Sequence, residues 1–174
     1  MIWQLGFYPI TLISGLLMQF FLPYLYNAYS NSSISEDKFN ILKNRYYSII
    51  LINALIFLSI FIISCEFHET IISLVSNRKF TVNSNLLPIV ILSSSFIAMG
   101  QTIAIIFNLT LNSKKLLPFQ VIMPLFLVLI LFSLAFYFKL NGVVFGSLIF
   151  SSIYLITMII ISSIEFKNIK FEFK

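Results

Sequence analysis

The hydrophobic residues of this chain come in long unbroken blocks, and its ionised residues stand only in the joints between them and in the segment after the last. Five windows, Ile2 to Tyr26, Tyr46 to Cys65, Leu86 to Phe107, Leu116 to Phe138 and Val143 to Ser163, run for 20 to 25 residues each without an Asp, Glu, Lys or Arg. A helix needs about 20 apolar residues to cross a bilayer, so each window is long enough. Strands of a membrane barrel would alternate apolar and polar residues over about ten positions, whereas these windows are apolar on every face. The pattern predicts an all-α membrane protein. It is one membrane domain over residues 1–174, a bundle of five transmembrane helices at about 2–26, 46–65, 86–107, 116–138 and 143–163.

The second window illustrates the energetics. Its twelve Leu, Ile and Phe residues contribute roughly −0.3 to −0.6 kcal/mol each on insertion, about −5 kcal/mol together, which outweighs Ser48, Asn53, Ser59 and Ser64. Composition excludes the alternative of a water-soluble domain. Of the 174 residues 59% are hydrophobic and 10% charged, against roughly 25% charged in soluble domains.

The joints set an orientation. Alternate connections share a side, so Lys38, Lys43, Arg45, Lys114, Lys115, Lys167, Lys170 and Lys174 fall on one side and Arg78, Lys79 and Lys139 on the other. The positive-inside rule places the richer side in the cytoplasm, with the C-terminus inside and the N-terminus outside. Met1 then opens almost directly into a span with no basic residue or polar spacer before it. This predicts an internal segment of a longer multi-pass protein rather than a natural start or a signal peptide. In the first joint, Ser33 and Glu36 have capping-box spacing, and Phe39, Leu42 and Tyr46 share a face. Residues 35–45 are therefore expected to form a short amphipathic helix in the interface, its basic end near anionic headgroups.

Candidate chemistry is sparse. Cys65, Glu66, His68 and Glu69 lie together, but zinc sites need paired His or Cys elements that one His and one Cys cannot supply, so a polar helix cap is the expected role. No phosphate-binding glycine loop, nucleophile elbow or carboxylate pair is visible, and we expect no enzymatic activity, catalytic residue, metal or cofactor. The net charge of +5 follows from topology, and no aromatic-interleaved basic groove points to nucleic acid. The sequons at Asn31 and Asn108 lie on the side expected to be cytoplasmic and are read as chance. What remain are amides in or beside the spans: Gln4, Gln19, Asn53, Gln101, Asn108 and Gln120. An unpartnered amide is costly in hydrocarbon, so each should face another helix or a wet cavity. Pro9, Pro23, Pro88, Pro118 and Pro124 add potential breaks. Ser93, Ser94, Ser95, Ala98 and Gly100 give the third span a small-residue face for close contact.

The order of these segments is familiar. Gln19-Phe-Phe-Leu-Pro23-Tyr-Leu-Tyr26-Asn-Ala-Tyr29 looks like a span ending in proline before a polar loop. Leu86-Leu-Pro88 leads to Gly100-Gln101 and then to Leu111-Asn-Ser-Lys114-Lys115, and Asn141-Gly142-Val-Val-Phe-Gly146 opens the last span with a glycine pair. On these residues the chain resembles the C-terminal half of the Wzx-type polysaccharide (O-antigen or capsule) flippases, exporters of the MATE-like multidrug/oligosaccharidyl-lipid/polysaccharide superfamily. The resemblance implies that the five spans match helices eight to twelve of a twelve-helix transporter in the bacterial cytoplasmic membrane. That transporter would rock two lobes around a polar cavity to flip a lipid-linked oligosaccharide. Gln19, Gln101, Asn108 and Gln120 would then line the substrate path, and Lys43, Arg45, Lys114 and Lys115 would stand at the cytoplasmic mouth, where topology alone also accounts for them. The family's first lobe and the first helix of its second lobe have no counterpart here, so the expected partners are membrane lipids, the lipid-linked oligosaccharide and a missing N-terminal lobe in cis or in trans. Two alternatives stand beside this: a multidrug or small-molecule antiporter of the same superfamily, which an acidic residue buried in a span would favour although the five windows hold none, and a non-transporting membrane scaffold or accessory subunit.

Overall fold

The structure, a computed structural model, describes residues 2–30, 36–75, 78–109 and 113–172, all of them in helical elements. Four long helices carry the fold: α1 (Ile2–Ser30), α2 (Glu36–Val75), α3 (Leu87–Leu109) and α4 (Leu117–Glu172). Short 3-10 helices at Arg78–Leu86 and Ser113–Leu116 lead into α3 and α4. Pro88 and Pro118 each occupy the second residue of their helix, where a missing N–H costs no intrahelical bond.

Among the described residues four helices, not the expected five, are long and apolar enough to cross a membrane. The fourth and fifth windows fall together in α4, because the joint between them is only four residues long and departs from helical geometry at a single one. Lys139 has φ 53° and ψ −129°, a positive-φ backbone that a non-glycine residue adopts only under strain. In a straight helix, residues eight apart are separated by about 12 Å. Here a Cβ added to Gly142 would collide with the Leu134 carbonyl, and one added to Gly146 would come within 3.2 Å of the Leu131 and Leu134 side chains. The limbs before and after Lys139 therefore run antiparallel in close contact.

Other departures concern the joints. Residues 36–45, expected as a separate interfacial helix, are the first turns of α2 and continue into the second apolar block without a break; Ser33 lies outside the described residues. At its far end α2 runs past Cys65 to Val75, with a kink at Phe67 (φ −116°, ψ 17°).

α3 is the centre of the molecule, packed against each of the other three helices. One core cluster joins Leu25 of α1, Leu42, Tyr46 and Ile49 of α2, Ile106 and Phe107 of α3, and Met158 and Phe166 of α4. A second, toward the start of α3, joins Ile10, Phe57, Ile72, Leu87 and Ile91. Small residues make these approaches possible. Ser93, Ser94, Ser95 and Ala98 are buried, and Ser94 Oγ donates across the interface to the carbonyl of Gly6 at 3.1 Å. A Cβ on Gly6 would meet Val90 Cγ1 at 2.6 Å. Outward faces carry large apolar side chains, with Phe20 84%, Phe132 75% and Tyr137 76% exposed, a surface that suits hydrocarbon rather than water.

Candidate functional site

A cavity of about 390 Å³ opens beside α3, walled by the first turns of α1 and by both limbs of α4. Its polar groups are few. Gln101 of α3 and Gln120 of α4 both line it, together with Ser147 and Tyr154. The rest of the wall is aromatic and aliphatic, with Trp3, Phe7, Phe119, Met123 and Phe150 prominent. Trp3 and Phe7 stack with centroids 5.7 Å apart, and Phe150 and Tyr154 stack at 6.2 Å. Pro124 lies in the wall as well and interrupts the hydrogen-bond ladder of the first limb there. A Cβ on Gly100 would strike the Tyr154 ring, so this glycine sets how near α3 and the second limb approach behind the cavity.

Of the four amides singled out for a substrate path, the structure brings two together. Gln101 and Gln120 come from different helices to one cavity, whereas Gln19 and Asn108, exposed as those two also are, do not line it. Asn53 is buried instead between α2 and α3, donating from Nδ2 to Thr102 Oγ1 at 3.4 Å. Asn53 Oδ1 and Ser93 Oγ are buried without a hydrogen-bond partner among the described residues.

The basic residues gather at the other end of the second limb. Lys115 makes an ion pair with Glu165 at 2.7 Å, closing the open end of the α4 hairpin, and the Phe166 ring lies 4.9 Å from that of Tyr46. Tyr46 Oη donates to the carbonyl of Ile103 at 2.8 Å. Arg45 places its guanidinium over the Tyr24 ring at 4.3 Å, and Lys43 its ammonium 6.0 Å from the Tyr47 ring. Lys114 is exposed. Three helix ends thus meet where Arg45, Tyr46, Lys115 and Phe166 converge, and Lys43 and Lys114 belong to the same end. Glu165 lies beyond the last charge-free window, in the second limb of α4. It is 3% exposed, and the signal was its spacing, since Met158, Ser162 and Glu165 fall on one helical face and all three are buried.

The polar group at the far end of α2 has a local partner. His68 Nδ1 lies 3.0 Å from Ser84 Oγ, tying α2 to the 3-10 helix before α3, while Cys65 is exposed. Among the described residues no three His, Cys, Asp or Glu side chains are grouped to hold a metal. Comparison with family models, curated proteins and solved structures finds no match for this chain.

Proposed function

We propose that this chain forms one helical lobe of a membrane transporter that flips a lipid-linked oligosaccharide from the inner to the outer leaflet of a bacterial cytoplasmic membrane, in concert with a second lobe in cis or in trans. The observation that carries this reading is the cavity where Gln101 and Gln120 stand in an otherwise aromatic and aliphatic wall. Two amides offer donors and acceptors to a polar headgroup or sugar. The apolar wall accommodates a lipid chain or stacks on a sugar face. We take the two limbs of α4 as separate crossings, which gives five and returns the C-terminus to the side of Lys43, Arg45, Lys114 and Lys115, the cytoplasmic side by the positive-inside rule.

The orientation is tested by reporter fusions. Those at Lys115 and Lys174 should read cytoplasmic and one after Arg78 external; the reverse pattern overturns it. The activity is tested in proteoliposomes holding the full chain and its partner lobe, by following a fluorescent polyprenyl-diphosphate oligosaccharide across the bilayer. Replacing Gln101 and Gln120 together by Leu should slow movement about tenfold or more, as expected for two lost hydrogen bonds of about 1 kcal/mol each. Unchanged movement in that variant removes the cavity from the path.

Glu165 favours a second reading, ion-coupled antiport of a small molecule, because a buried carboxylate is the group such coupling needs. Dye efflux driven by a pH gradient and abolished in Glu165→Gln would support it over lipid flipping.

A further inference from the structure

A second recess lies between the end of α1 and the beginning of α2. Its volume is about 490 Å³, and it shares no lining residue with the cavity at Gln101. Chemistry divides it along its length. At one end stand Asn44, Arg45 and Ser48; below them the walls are Phe20, Ile49 and Ile52. Phe20 is 84% exposed and Ile52 40%, so the apolar end opens sideways to whatever surrounds the helices. Tyr24 holds the charge in place. Its ring lies under the guanidinium at 4.3 Å, and a guanidinium stacked by its face keeps its N–H donors turned outward around its edge. Ser48 Oγ is committed to the carbonyl of Asn44 at 2.8 Å, which leaves the Asn44 amide, Arg45 and the Tyr24 hydroxyl as the side-chain donors among the lining residues.

We propose that this recess binds one anionic phospholipid, its phosphate on Arg45 and Asn44 and an acyl chain along Phe20, Ile49 and Ile52. Charge complementarity selects the headgroup: planar, bidentate donation is what phosphate oxygens accept best. The apolar extension selects a lipid over a free anion, since inorganic phosphate gains nothing from Phe20 and Ile52. The site needs only that these helices lie in a membrane and does not depend on what the chain transports.

The test is native mass spectrometry of the full chain released from detergent, with phosphatidylglycerol or phosphatidylcholine added at matched concentrations. One phosphatidylglycerol should be retained in preference to phosphatidylcholine. Arg45→Gln should lower that preference about fivefold, the factor typical of one basic residue at an anionic surface. Lys43→Gln, which removes an equal charge outside the recess, should leave it within about twofold. Ile52→Trp, which fills the apolar end, should lower retention of phosphatidylglycerol while keeping Arg45, and millimolar inorganic phosphate should not displace the lipid. Equal loss in Lys43→Gln and Arg45→Gln would show diffuse surface charge and overturn the proposal. So would unaltered retention in Ile52→Trp, or displacement by phosphate. Circular dichroism of each variant separates these outcomes from misfolding.

Discussion

α3 and the first limb of α4 are both apolar blocks of similar length, yet most of α3 is buried while no residue between 117 and 138 is. Hydrophobicity does not separate them, because lipid tails are as apolar as leucine and offer no reward for moving a side chain from lipid to protein. Size does. α3 carries Ser93, Ser94, Ser95, Ala98 and Gly100 on its inward side, where backbones come close. The limb presents Val121, Leu125, Phe132 and Phe136 outward. Even the same residue behaves differently in the two places. Ser94 lies within hydrogen-bond distance of Val90 and Ile91 in its own helix and also of the Gly6 carbonyl across the interface, while Ser133, exposed on the limb, bonds back to its own helix at Leu129. Helix packing in this molecule is a matter of fit, and fit can be broken selectively.

The largest effect is expected where a new atom meets backbone. Gly142→Ala places its Cβ on the Leu134 carbonyl across the hairpin, and no rotamer change relieves that. Overpacking of this kind costs typically 1–3 kcal/mol, and a rigid neighbour puts Gly142→Ala at the upper end, about 3 kcal/mol. Unfolding in mixed micelles of rising dodecyl sulfate fraction, followed by circular dichroism, measures it. A loss below about 1 kcal/mol would mean that the limbs are not held antiparallel by this contact.

Next is Lys115→Ala, which removes the cation from a carboxylate that is nearly fully buried. Breaking a buried pair from one side costs about 3–5 kcal/mol. Lys115 is half exposed, so water screens part of the interaction and about 2 kcal/mol is expected. Adding Glu165→Gln to the same chain should recover part of the loss in the same titration, because the buried group that has lost Lys115 is then neutral.

Gly100→Ala brings the comparison back to α3. Its Cβ meets only the ring of Tyr154, which can tilt, and alanine recovers up to about 1 kcal/mol of helix propensity. A net loss of about 1 kcal/mol follows, with a change in ligand access as the sharper readout, since Tyr154 lines the cavity.

These contrasts also mark what was legible before the structure. The five apolar blocks could be read from where charges are missing, because ionised groups in hydrocarbon are too costly to be placed at random. Their merging through Lys139 could not, since the four-residue joint gives no sign of whether it forms a loop or a single strained residue. Gln101 and Gln120 stood out because amides within apolar spans need partners, but Gln19 and Asn108 make the same chemical demand and lie outside the cavity. Gln101 and Asn108, seven residues apart on α3, share a face two turns apart and differ in position along the helix; for Gln19 the face is what matters, and a helix apolar all round carries no moment to reveal which face turns inward. Trp3, Phe7 and Tyr154 were hidden for the same reason, as ordinary apolar residues among many.

The smallest effect is the one that tests the comparison most directly. Phe132 is 75% exposed on the first limb. In a soluble core, truncating a phenylalanine to alanine costs about 3–5 kcal/mol. Here its ring touches lipid in the folded helix bundle and would touch lipid equally in separated helices, so Phe132→Ala should change stability by no more than about 0.5 kcal/mol. The same micelle titration measures it beside Gly100→Ala, which adds one carbon where Phe132→Ala removes a whole ring. If the larger change has the smaller effect, contact geometry governs this fold. If Phe132→Ala instead costs 2 kcal/mol or more, the first limb is not a lipid-facing surface, and its apolar face belongs to an interface with a further helical lobe.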